Sequence, residues 1–212
     1  MIAAMRKNGL VLAVFALLST GLVAVTNKLT ENKIAEQAEL QLLGQLNQVI
    51  PTSMHDNDLY KSCTLVTAPN ALGTDQPMPL YVATKGGKPT AMAIEAIAPN
   101  GYNGAIKVLV AADMSGKVTG ARVLQHNETP GLGDKIDIRV TDWITHFAGK
   151  TIESAGDKRW AVQKDGGQFD QFTGATITPR AVVGAVRDAA WYLHENKDTL
   201  TKQPFNCGGS KA

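Results

Sequence analysis

The chain has 212 residues with 21 basic and 19 acidic side chains, a formal net charge of +2, which leaves room for one ordinary domain and an anchoring segment. Balanced charge without a basic cluster gives no footprint for nucleic acid, so no nucleic-acid partner is expected. Cys63 and Cys207 stand in no Cys-x-x-Cys or Cys/His pattern, which argues against zinc and iron–sulfur centres.

The first element is apolar. Gly9 to Val25 carries no charge and is mostly Leu, Val and Ala. With Asn8, Thr26 and Asn27 it reaches about 20 residues, enough to cross ~30 Å of hydrocarbon as a helix. Arg6 and Lys7 precede it, whereas Lys28 and Lys33 are outweighed after it by Glu31, Glu36 and Glu39. Basic residues are held on the cytoplasmic side, so the N-terminus is expected there and the remainder outside. A cleaved signal peptide has a similar start, but Leu22-Val23-Ala24 is a poor cleavage site and the apolar run is long.

Glu31 to Ile50 predicts a helix that continues from the membrane segment, with Ile34, Ala38, Leu42, Leu46 and Val49 at helical spacing. Thr30 can cap its start and Pro51 ends it. Thr52 to Pro79 is polar and proline-containing, and reads as loop with one short strand near Cys63-Thr64-Leu65-Val66. Strands are expected over Leu80–Thr84 and Thr90–Ala98 around Lys85-Gly86-Gly87-Lys88. Two more are expected over Ile106–Ala111 and Val118–Gln125 around Asp113-Met114-Ser115-Gly116-Lys117. Asp137 to Phe147 predicts an amphipathic helix. Thr178-Pro179 predicts a cap and first turn for a helix reaching about His194. Runs of strands with separate helices give an α+β fold with a mainly antiparallel sheet.

The informative run is Asp170-Gln171-Phe172-Thr173-Gly174-Ala175-Thr176-Ile177-Thr178-Pro179. Gly174 and Ala175 are small enough for another molecule to approach the backbone, and Thr176 lies just before a helix start. Free N–H groups and a partial positive charge there suit a phosphate. Taken alone, the same residues also make an ordinary turn and cap. A second run, Glu128-Thr129-Pro130-Gly131-Leu132-Gly133, fixes one backbone angle at Pro130 and permits close approach at its glycines.

The first run resembles the Ser/Thr-Gly-Ala-Thr flavinylation motif of FMN-binding domains in ion-pumping respiratory complexes. The second resembles the Glu-Thr-Pro-Gly-Leu-Gly loop of the same family, and Gly101-Tyr102-Asn103-Gly104-Ala105-Ile106 resembles its lead-in to a strand. The arrangement is similar to the RnfG family, the G subunits of the Rnf (Rsx) ion-translocating electron transport complexes. Thr173 stands where many relatives carry Ser.

The resemblance implies covalent FMN, esterified through its phosphate to Thr176 by a flavin transferase that uses FAD and Mg²⁺. It implies that Thr173, Gly174, Ala175, Ile177 and Thr178 are recognised by the transferase or line the phosphate. Glu128, Thr129, Pro130, Gly131, Leu132 and Gly133 would lie against the flavin. It implies an electron-transfer protein without complete activity alone, working beside other membrane subunits of an Rnf-type complex in a bacterial inner membrane, with the FMN domain periplasmic.

The expected division is a cytoplasmic N-terminus over 1–8, a transmembrane helix over 9–27 and a juxtamembrane helix over 28–51. An FMN-binding α+β domain over 52–206 and a flexible tail over 207–212 complete it. Two other readings are the C subunit of a Na⁺-translocating NADH:quinone reductase and a membrane-anchored interaction module without flavin. Of the side residues, His126 is expected at the surface, and Asp134, Asp137 and Asp142 as solvated charges. Asp170 either faces the transferase metal or caps a turn, and Trp143, Trp160 and Trp191 are expected in the core. Cys63 and Cys207 either pair in an oxidising compartment or stay as thiols.

Overall fold

The computed structural model describes residues 2–207. Helix α1 spans Ile2–Val49, and the chain divides into two compact units at Leu42/Leu43. In the first unit the stretch expected to be apolar is helical, and it is long and apolar enough to cross a membrane. The segments expected over 9–27 and 28–51 run on as one helix, the expected continuation from the membrane segment. Thr30 does not start a new helix, because its hydroxyl donates to the Thr26 carbonyl at 2.8 Å while the backbone ladder continues.

The second unit is built on a five-stranded antiparallel meander, β1 (Cys63–Val66), β2 (Met78–Lys85), β3 (Lys88–Ala98), β4 (Ile106–Asp113) and β5 (Val118–Gln125), in that spatial order. Consecutive antiparallel neighbours need only short turns, which the glycine-bearing segments supply. A short helix α2 (Pro69–Leu72) lies in the segment expected to be loop, and β2 begins two residues earlier than expected, at Met78. Alternation along the strands gives the sheet two buried faces. One face presents Leu80, Val82, Met92, Ile94, Val108 and Val110 to helix α3 (Ile177–Leu200), whose Val182, Val183, Val186, Ala189, Ala190 and Leu193 complete that core. The other face carries Tyr81, Ala93, Leu109 and Ala111, and the last turns of α1 pack on it. Leu46, Val49 and Ile50 are fully buried there, and a Cβ on Gly120 would lie 3.0 Å from the Val49 Cα.

On that second face Glu95 is buried. It accepts the Tyr81 hydroxyl at 3.0 Å and pairs with Lys107. Burial, and then the Glu95 charge, push the Tyr81 phenol far above its ordinary range. At the sheet edge Asn206 takes the Leu65 N–H at 2.8 Å and Cys207 is bonded to Cys63, their Cα atoms 5.4 Å apart. The tail expected over 207–212 thus begins with a bonded residue, and 208–212 lie outside the described residues.

Between β5 and α3 the chain is mostly irregular. The helix expected over Asp137–Phe147 does not form. Two 3₁₀ turns, Gly133–Ile136 and Trp143–Phe147, flank a non-helical stretch. Asp137 is extended (φ −81°, ψ 131°), and its carboxylate takes the Arg139 N–H at 2.9 Å. Such a side-chain bond competes with the helical ladder, and Ile138, Val140 and Thr141 are β-branched and weak helix formers. An aromatic cluster stabilises this region: Phe147 stacks on Phe169 at 4.4 Å, and Trp143 meets Phe172 edge-on at 5.2 Å. Trp143 and Trp160 are core residues as expected, whereas Trp191 is half-buried.

Candidate flavin site

The three motif runs converge on one carboxylate. Glu128 is 4% exposed. Its Oε1 accepts the Asn103 N–H at 3.1 Å, from the β3–β4 loop. Its Oε2 accepts the Thr178 hydroxyl at 2.5 Å, from the first turn of α3. Two glycines make room for it. A Cβ on Gly101 would stand 2.9 Å from Glu128 Oε1, and one on Gly133 would stand 2.6 Å from Oε2 and 2.8 Å from the Thr178 hydroxyl. Gly133 is therefore glycine because a side chain would occupy the space of this bond.

The Glu128 backbone is held as well. His126 Nδ1 accepts the Glu128 N–H at 3.1 Å, and Nε2 faces Asp137 at 3.6 Å. Neither residue behaves as expected: His126 is half-buried rather than a surface side chain, and Asp137 is a buried, paired carboxylate. The Arg139 guanidinium, bonded to it, holds the Asp137 carboxyl below its usual range, against the opposing effect of burial. Asp170 is an exposed partner of Gln163, with Oδ1 accepting at 2.6 Å, and its carbonyl takes the Trp143 indole N–H at 2.9 Å. Among the described residues no cluster of His, Cys, Asp or Glu could hold a metal.

The flavinylation-type run forms an arch. Ala175 N–H donates to the Phe172 carbonyl at 3.1 Å, closing a turn in which Gly174 has φ +81°, the conformation a type II turn demands at that position. Helix α3 starts at Ile177 with Thr176 as N-cap, and the Thr176 side chain makes no capping bond. The cap expected at Thr178 is absent because that hydroxyl is committed to Glu128. Thr176 is half-exposed at the helix N-terminus, where unpaired N–H groups and the helix dipole favour an anion.

A cavity of about 270 Å³ joins the two loops. Glu128, Thr129, Leu132 and Gly133 line one side and Gly174, Ala175, Thr176, Ile177 and Thr178 the other. Thr173, Pro130 and Gly131 are exposed and do not line it. Tyr102 does, at 68% exposure, although the sequence pointed to its segment only as the lead-in to a strand. Leu132, Ile177 and Tyr102 give the mouth an apolar rim suited to a planar ring, while Thr176 and the helix N-terminus suit a phosphate. The donor set fits FMN.

Residues 101–190 match the FMN-binding domain family, and residues 1–49 match the RnfG N-terminal region. The chain is 61% identical over 209 residues to the G subunit of the ion-translocating oxidoreductase complex of Vibrio atlanticus, covering 99% of this chain and 100% of that one. It is 60% identical to the same protein of Vibrio parahaemolyticus, covering 99% of each. It is 57% identical over 203 residues to that of Shewanella baltica, covering 96% of each. The chain belongs to the RnfG family, the G subunits of ion-translocating oxidoreductase complexes. Similarity over the full length favours this family over the quinone reductase component and over a flavin-free module. The α+β fold with its antiparallel sheet agrees with an FMN-binding domain, and the apolar stretch of α1 fits a membrane anchor.

Proposed function

We propose that the chain is an electron-transfer subunit of an Rnf-type complex and carries FMN esterified through its phosphate to Thr176. One observation carries the reading: a cavity that both motif loops line has the Thr176 side chain, free of any capping bond, at a helix N-terminus. FMN supplies the redox chemistry when bound, and the chain supplies placement. Helix N–H groups would stabilise the phosphate charge, Leu132, Ile177 and Tyr102 would offer apolar contact, and Gly174 leaves the backbone open to the ligand. A cavity of about 270 Å³ falls just below the ~300–1,000 Å³ of sites that enclose a ligand. The ester would keep a flavin that the cavity does not fully enclose from being lost.

The ester is made by a flavin transferase that draws on FAD and Mg²⁺. Residues 9–27 cross the inner membrane, with 1–8 cytoplasmic and 28–42 leading out of it, and the FMN domain from Leu43 onward stands on the periplasmic side. Two features support this orientation: the basic residues before the span, and the Cys63–Cys207 bond, which suits an oxidising compartment. The chain has no dinucleotide fingerprint, so other subunits must handle NAD or ferredoxin. In membranes holding the whole complex, Thr176→Val should abolish electron transfer while assembly persists. Full transfer in that variant would sink the reading.

A further inference from the structure

Three hydroxyls lie close together in the arch, at Thr173, Thr176 and Thr178. Thr173 is exposed and outside the cavity. Thr178 is fully buried, and its hydroxyl donates to Glu128. Thr176 lines the cavity and caps nothing. The exposed residues between them are suspended from two buried feet. The upstream foot is Phe172, packed edge-on against Trp143 at 5.2 Å. The downstream foot is Thr178, where a charge-assisted bond in a buried setting is the only side-chain hydrogen bond. Glu128 is itself immobilised by the Asn103 N–H, by the tight space at Gly101 and Gly133, and through its own N–H by His126.

We propose that Glu128 is a positioning residue for flavin attachment: by holding Thr178 it fixes the downstream foot of the arch, presents Thr176 and withholds the Thr178 hydroxyl. This rests on the reading that Thr176 carries the ester. In the transfer the Thr176 oxygen bonds to the phosphorus of the FMN half of FAD and the pyrophosphate bond breaks. AMP leaves, and the hydroxyl proton passes to solvent. Glu128 takes no part in those bonds. Its work is done beforehand, in setting the geometry that a second protein must recognise. Nothing in the run 170–176 itself encodes this, because the anchor lies 50 residues away in sequence.

The test uses the full-length chain made without transferase, then incubated with purified transferase, FAD and Mg²⁺. The initial rate of flavin incorporation is read as fluorescence that survives denaturation, and the site is read by peptide mass spectrometry. Thr178→Val, which leaves residues 170–176 untouched, should be modified about tenfold more slowly, the factor produced by losing ~1.4 kcal/mol of positioning. Thr178→Ser, which keeps the hydroxyl, should restore the wild-type rate. Glu128→Ala should be slow, with part of the ester on Thr178. Val186→Ala, a buried change farther along α3, sets the rate lost to instability alone. Thr178→Val and Glu128→Ala reacting no more slowly than Val186→Ala, with all ester on Thr176, would overturn the proposal and leave the Thr176 reading intact. No ester on Thr176 in the wild-type chain would overturn that reading itself.

Discussion

Replacing Gly133 by alanine puts a methyl 2.6 Å from Glu128 Oε2, 2.8 Å from the Thr178 hydroxyl and 3.0 Å from the Glu128 Cβ. None of these neighbours is the free end of a mobile chain, because Glu128 is pinned by Asn103 and Thr178 is part of a helix. Overpacking costs about 1–3 kcal/mol, and losing a hydrogen bond to a charged group adds about 1.5–3 kcal/mol. For a domain of this size each kcal/mol lowers Tm by about 2–4 °C, so Tm should fall by about 10 °C. Gly131→Ala is the matched control. Gly131 has φ +78° but open space around its Cβ, so alanine there meets only backbone strain of about 1–2 kcal/mol. Thermal unfolding is followed by the fluorescence of Trp143 and Trp160, which are buried near the site. A Gly133→Ala protein melting within ~2 °C of Gly131→Ala would show that the Glu128–Thr178 contact is not the tight junction described.

Three further outcomes are expected. Replacing both Cys63 and Cys207 by serine opens a closure spanning 144 residues and should destabilise the domain by up to about 5 kcal/mol; denaturant unfolding unchanged within error would contradict this. Asp137 has a carboxyl held low mainly by Arg139, so it contributes stability above its unfolded value of about 4 that is lost as pH falls through the lower folded value. Removing the guanidinium in Arg139→Ala should raise the midpoint of acid unfolding, and superimposed acid curves would refute the pairing. A fragment beginning at residue 52 lacks Leu46, Val49 and Ile50, all fully buried on the sheet. At about 1.5–3 kcal/mol each, an upper bound, their loss should leave it unstable beside a fragment beginning at residue 43; equal melting temperatures would show that the end of α1 is dispensable.

Much of the fold is legible because its signals are local. β5 falls where the sequence places it, and the turn at Lys85–Lys88 joins β2 to β3. These hairpins pair neighbours, so alternation and turn chemistry suffice. Asp137–Phe147 is misleading because its apolar spacing mimics a helix, while Asp137 turns its carboxylate onto its own backbone and onto Arg139. Thr178-Pro179 looks like a cap and first turn until Glu128 takes the hydroxyl. Both errors come from polar side chains whose partners cannot be seen by local pattern.

The same limit divides the site. The two loops and Thr176 are readable as motifs, and they do line one cavity. The convergence of Asn103, Gly101 and Thr178 on Glu128 is a contact between distant segments, and spacing carries no trace of it. The pairing of Cys63 with Cys207 is open in the sequence for the same reason. It depends on the C-terminal segment lying along the edge of β1, where Asn206 bonds to the backbone of Leu65.

The central claim is a covalent flavin on Thr176, and its most direct test is flavin fluorescence on a denaturing gel. The full chain and its Thr176→Val variant are each produced with the flavin transferase present. The wild type should give a fluorescent band that survives denaturation, and the variant should give none. A band of equal intensity in the variant would place the flavin on another residue, and no band in either would leave the cavity without its proposed covalent cofactor.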